Sequence, residues 1–287
     1  MEKARAASIL SGLFVVLAGL SIFLIERPSK RPELPGGWGP ALRREADKPG
    51  GGQAEAPPAN LKPSALAGRE ALAAVIIDDL GNNLEAARAL CGFGRSVTAA
   101  ILPFASKTAE TAALAAGCGA EIMLHLPLEA LEPKEAAAGR ISSGMSAAEV
   151  RARVNECIDQ VPGCRGVNNH EGSRTTEDPS LMPVILGVLK ERRLYFIDSL
   201  TSQASIAYDT ARRMGVPSAV RRVFLDSDPG EEAIRRRLAE LFRAARTHGR
   251  AVGIGHARRE TMDALGRHLG MAEDYGVRLV AASAIVD

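Results

Sequence analysis

Between about residue 70 and the C-terminus, short apolar runs alternate with amphipathic stretches, and this alternation restricts the chain more than any other feature. The runs are AAVIID (73–78), VTAAIL (97–102), AEIMLH (120–125), RGVNN (165–169), LYFID (194–198), SAVRRVFLD (218–226), AVGIGH (251–256) and VRLVAAS (277–283). Helix-like segments separate them near 83–91, 106–117, 146–160, 179–192, 203–214, 230–247 and 259–274. Runs this short and apolar suit strands buried on both faces, and a helix after each strand makes neighbouring strands parallel. Residues 70–287 are therefore expected to form one α/β domain of eight strands and seven helices.

Upstream the chain is a different material. Residues 6–25 carry no charge over twenty positions, enough for a helix to cross a bilayer core of roughly 30 Å. The run is too long for the apolar part of a cleavable signal peptide and ends in IERPSKRP, so residues 1–26 are expected to be a cytoplasmic tip and an uncleaved transmembrane anchor. Lys3 and Arg5 precede the span while Arg27, Lys30 and Arg31 follow it, so the flanking charges leave its sidedness open. Residues 27–69 hold eight of the sixteen prolines together with glycines 36, 37, 39 and 50–52, the composition of a semi-extended tether. With 36 Lys+Arg against 34 Asp+Glu, the net charge of +2 excludes the single-sign field of a nucleic-acid binder, and no nucleic-acid partner is expected.

In parallel α/β folds, polar residues at the carboxyl ends of strands converge on one face. Here the strand ends read Asp78-Asp79, His125, Asn168-Asn169-His170, Asp198, Asp226 and His256. The Asp78-Asp79 pair suits a site where one carboxylate holds a metal and the other handles a proton, although an acidic residue ahead of Leu-Gly-Asn-Asn also suits a helix cap. His125 and Glu129 are metal-ligand types four residues apart, and a strand-end histidine can equally be a packing residue. In GVNNHEGSR, Asn168, Asn169 and Ser173 are candidates for substrate or supporting contacts and His170 for a ligand, while Gly172 permits a tight turn; a local Asx turn is the plainer reading. His256 has the near-neutral chemistry of a proton donor and equally suits a supporting partner of another site residue.

Taken in order, IIDDLG, AILPF, LHLPLE, GVNNHEGSR, FIDSLT, VFLDSD and GIGHARRET resemble the successive motifs of the divergent polysaccharide deacetylase family, relatives of NodB-type carbohydrate esterases, over about 73–285. The resemblance implies a deformed (β/α) barrel, export to the periplasm, and inner-membrane attachment through residues 6–25. It also implies a divalent metal, zinc first, and an amino-sugar polymer or peptidoglycan-derived substrate. By position it makes Asp78 the base, Asp79 and His125 metal ligands, and His256 the acid. The second histidine of the family's HxxxH motif is replaced by Glu129, so His170 is taken as the third ligand by inference. Glu171 stands where an apolar residue is expected and Ala257 where proline is expected. Asp198 and Asp226 are assigned to supporting or substrate contacts.

The activity expected is metal-assisted removal of N-acetyl groups. The rival is a non-catalytic envelope protein that binds glycan or a protein partner. Cys91, Cys118, Cys157 and Cys164 form no CxxC pair; Cys157 and Cys164, seven apart, are either a bridge or small buried residues.

Overall fold

The structure is a computed structural model and describes residues 70–132 and 137–287. The expected anchor (1–26) and tether (27–69) lie outside the described residues, among which no helix is long and apolar enough to cross a membrane.

The alternation expected from the sequence folds into one curled, parallel sheet with helices on its outside. Strands β1 (Ala71–Leu80), β2 (Val97–Ile101), β3 (Glu121–Leu128), β4 (Gly166–Glu171), β5 (Tyr195–Asp198), β6 (Ser218–Val220), β7 (Val223–Phe224) and β8 (Arg250–His256) lie in the order 6-5-4-3-2-1-8-7, and β9 (Val277–Leu279) also pairs with β1. The helices are α1 (Leu84–Cys91), α2 (Thr108–Gly117), α3 (Ala147–Gln160), α4 (Leu181–Glu191), α5 (Ala207–Met214), α6 (Glu231–His248), α7 (Arg259–His268) and α8 (Met271–Asp274).

Four expectations change. The run 218–226 is two strands, β6 and β7, at opposite edges of the sheet, and the chain passes between those edges in Arg221-Arg222. Consecutive amides there bond to opposite sides, Arg221 N–H to the Asp198 carbonyl (2.9 Å) and Arg222 N–H to that of Val252 (2.8 Å). The sheet is thus a half-barrel curled until its edges meet through two residues. The helix expected over 259–274 breaks after His268, and the last run is a strand only to Leu279. The bridged cysteines are Cys91 and Cys118, joining the C-terminal ends of α1 and α2, while Cys157 and Cys164 are free.

Strand side chains alternate between faces. Ala73, Val75 and Ile77 pack outward with helix residues such as Leu90, Ile185 and Leu238. Ala74, Ile76, Ala100, Met123, Ile197, Ala219, Val252 and Ile254 form a separate inner cluster with the C-terminal residues Val280, Ala282 and Ile285. Small residues are common on the inside because a tightly curled sheet leaves little room there. Two steps beyond Ile76, Met123 and Ile254 on that same face come Asp78, His125 and His256.

Candidate metal and proton-transfer site

The inner face of β1 delivers Asp78, but alternation alone would send Asp79 to the other side. It does not, because Asp79 adopts φ 62° and the β1–β2 register shifts between Ile77 and Leu80. A non-glycine residue in this left-handed region carries a local cost of about 1–3 kcal/mol. Ile76 and Ile77, both fully buried, each contribute roughly 1.5–3 kcal/mol and hold the strand that bears it. Both carboxylates consequently face the same rim.

On β4 the two-residue period places Asn168 and His170 together and turns Asn169 away. His125 Nε2 and His170 Nδ1 are 3.1 Å apart. Asp79 Oδ1 lies 3.2 Å from the first and 3.1 Å from the second. Three ligands at 2.0–2.1 Å from one ion, with angles between octahedral and tetrahedral, are separated by about 2.9–3.4 Å. Asp79 Oδ1 is also buried and makes no hydrogen bond despite its two nitrogen neighbours. Its lone pairs are left for a shared centre, and the three donors fit a divalent metal.

The groups behind these donors fix their orientation. Asn168, fully buried, meets His125 Nδ1 with its Oδ1 and donates from Nδ2 to Asp78 Oδ1, both at 2.8 Å. Facing an amide oxygen, Nδ1 bears the proton and leaves Nε2 toward Asp79 and His170. On the opposite side, His256 Nδ1 meets Asp226 Oδ1 at 3.0 Å, and its Nε2 lies 3.9 Å from Asp79 Oδ2. Asp226 Oδ2 accepts from the His256 amide (2.9 Å) and the Thr261 hydroxyl (2.8 Å).

Burial pushes the Asp78 carboxyl up, and His125 and Asn168 only partly offset it. Burial also favours a neutral Asp79, yet the imidazoles of His125 and His170 outweigh it and hold that carboxyl far below the usual range. For His125 burial works downward, but Asp78 and Asp79 bring the imidazole up to about 9. His256 is likewise raised, with Asp226 overcoming the effect of burial. The rim therefore holds a raised carboxyl and a raised imidazole flanking the three donors.

The remaining candidates are engaged elsewhere. Glu129 Oε2 accepts from the Ser143 amide (2.5 Å) and hydroxyl (2.6 Å), which hold its carboxyl low and commit it to a neighbouring loop. Asn169 joins β4 to the loop after β5 by accepting from the Ser199 amide (2.8 Å), and it donates to the Glu171 carbonyl of its own strand (2.7 Å). Ser173 accepts from the Leu131 amide at 2.9 Å. Asp198 binds Ser205 Oγ (2.7 Å) and the Leu200 amide (2.8 Å) ahead of α5. The cap of α1 is Asn83, whose side chain accepts from the amides of Glu85 and Ala86, so neither Asp78 nor Asp79 is spent on it.

The turn after β4 and the Ala257 position have local explanations. Gly172 has φ 91°, and a Cβ there would come within 2.7 Å of Leu128 Cβ. Glu171 reaches Arg140 at 3.4 Å. Ala257 donates its N–H to the Asp78 carbonyl at 2.9 Å, a bond that proline has no donor to make.

Thr261 was not among the sequence candidates; nor were Phe224, whose ring meets that of His256 edge-on at 5.1 Å, and Arg221. The Arg221 guanidinium stacks 5.0 Å from the Phe224 ring and donates to the Ser199 carbonyl (2.7 Å) and the Leu200 carbonyl (3.0 Å). The signal for Phe224 was its position in VFLD (223–226) beside a strand end, unreadable until β7 was separated from β6.

Residues 75–286 match the divergent polysaccharide deacetylase family. The chain belongs to that family. Among relatives of this divergent deacetylase-like chain, an uncharacterized protein of Haemophilus influenzae is 35% identical over 192 residues, 67% of this chain and 69% of the relative. The uncharacterized protein YibQ of Escherichia coli K12 is 30% identical over 192 residues, 67% of this chain but 60% of its own length. A crystal structure of an uncharacterized protein from Agrobacterium tumefaciens C58 shares the fold with a TM-score of 0.73 and 24% identity, covering 76% of this chain and 90% of that one.

Proposed function

We propose that this family member is a metal-dependent amide hydrolase that removes N-acetyl groups from an amino-sugar polymer of the cell envelope, with zinc in its Asp-His-His site. The observation that carries the reading is the set Asp79, His125 and His170, three donors within 3.2 Å of one another, flanked by Asp78 and His256. A divalent ion in that set supplies Lewis acidity to the acyl carbonyl and the attacking water.

The chain's own groups supply the proton handling. Asp78, raised by burial yet oriented by Asn168, accepts the proton of the attacking water. His256 carries a proton on a raised imidazole, and its Nδ1 contact with Asp226 leaves Nε2 to protonate the departing amine. Phe224 packs the His256 ring, and Thr261 holds the carboxylate behind it. Glu129 takes no part in the donor set, because Ser143 and Arg174 occupy its carboxylate.

The proposed setting is the periplasmic side of the inner membrane, reached through residues 6–25. The Cys91–Cys118 bridge supports an oxidising compartment.

The test uses the purified full chain. It should contain stoichiometric zinc and release acetate from N-acetylglucosamine oligomers. His170→Ala should lose both, and Asp78→Asn should keep the metal while turnover falls about 10²–10⁴-fold. Zinc-loaded protein that binds the oligomers and releases no acetate would reject hydrolysis in favour of a glycan-binding role.

A further inference from the structure

At the amino ends of the strands, opposite the rim, two adjoining surface cavities of about 340 Å³ and 300 Å³ share Cys164, Arg192 and Leu194. The larger is edged by Arg165, Arg192 and Arg193 over a floor including Leu194, Pro217 and Val286, and its lining contains no carboxylate. Arg192 is occupied by Asp159 (2.7 Å) and Asn155 (2.9 Å). Among the described residues, Arg165 and Arg193 have no side-chain hydrogen bond or ion pair.

Arg193 is also in an unfavourable place for an arginine. It follows the C-cap of α4 with φ 57°, the position where helices commonly carry glycine. A cation near a helix C-terminus is favoured by the dipole, but Arg192 and Lys190 already serve that end. Arg165 precedes β4 and belongs to no helix.

We infer that this face is a second binding site, for a phosphate ester with a small apolar body. Arg165 and Arg193 both line one cavity, and a phosphate offers three oxygens to two guanidinium forks, whereas a carboxylate saturates a single fork. The apolar floor takes the body of the ester. This inference is independent of the hydrolase reading.

Cys164 lines both cavities and is free and partly exposed, which makes it a reporter. The full chain in neutral detergent is alkylated with and without phenyl phosphate, and modification of Cys164 is followed by peptide mass spectrometry. Inorganic phosphate and benzoate are compared, with chloride matching ionic strength. Phenyl phosphate at ten times its dissociation constant should slow the reaction about tenfold. Inorganic phosphate should protect only at higher concentration, and chloride not at all. Arg193→Gly removes one fork while relieving the backbone, so it should fold at least as well and lose protection; Arg165→Gln should lose it too. Absence of protection, protection that survives both substitutions, or equal protection by benzoate would overturn the assignment.

Discussion

The plug beneath the inner core and the rim at the other end of the same sheet treat polar groups in opposite ways. At the amino end, Glu121 Oε1 accepts from the Tyr195 hydroxyl (2.7 Å) and the Ser283 amide (3.0 Å), and Thr98 accepts from the Ala282 amide (3.0 Å). The C-terminal segment thereby plugs the base of the inner core, and Asp287 pairs with Arg250 and Arg212. At the carboxyl end, Asp79, Glu171 and Leu200 sit in left-handed backbone, Asp79 Oδ1 has no hydrogen bond, and two adjacent carboxylates are turned to one side. The hydrogen-bonded plug beneath the inner core suits a stabilising role, and the strained rim suits the chemistry proposed above. Substitutions should accordingly separate the two properties.

The largest effect is expected at the donor set. His125→Ala or His170→Ala should weaken zinc binding by more than about a hundredfold, beyond what loss of an outer partner costs. Titration against a chromogenic chelator measures it, and a retained circular dichroism spectrum shows that the fold is intact. Asn168→Ala removes an orienting partner only, so its loss in zinc affinity should be about 10–100-fold.

Glu121→Ala tests the other end. It leaves the buried Tyr195 hydroxyl unpaired and should cost about 1–3 kcal/mol in denaturant unfolding, with zinc affinity unchanged. A zinc defect in Glu121→Ala would erase the distinction between the ends, whereas Asn168→Ala, which unpairs buried Asp78 and His125, should lose stability and zinc affinity together.

The smallest effect is a pH trend. His125 is raised in the folded, ion-free chain to about 9, so its contribution to stability is complete below about pH 6.5 and fades as pH climbs toward 9. Zinc affinity should rise over the same interval, because the ion displaces that proton. Thermal melts of ion-free protein across this range check the sign. Glu121→Ala should show the same trend, since the base of the sheet takes no part in it.

Much of this was legible in the sequence. The two-residue period carries Ile76 to Asp78, Met123 to His125, Asn168 to His170 and Ile254 to His256, so strand ends that share a face could be recognised before folding. Asp79 broke the pattern, because its direction depends on a left-handed residue and a register shift that no local propensity reveals. The split of 218–226 was also hidden, since Val220 and Val223 are both strand formers and only the curl of the whole sheet separates them. Cysteine pairing followed tertiary proximity rather than spacing: Cys91 and Cys118, separated by 27 positions, meet where the C-terminal ends of α1 and α2 come together. Asn169, Ser173, Asp198 and Glu129, expected in substrate or supporting contacts, each hold a nearby loop, contacts that sequence alone does not reveal.

The central claim is that Asp79, His125 and His170 grip one ion. A crystal structure of the zinc-soaked protein, with anomalous data at the zinc edge, addresses it directly. One strong peak about 2.0–2.2 Å from Asp79 Oδ1, His125 Nε2 and His170 Nδ1 is the predicted result. A peak on other residues, or none at this rim in fully zinc-loaded crystals, would contradict it.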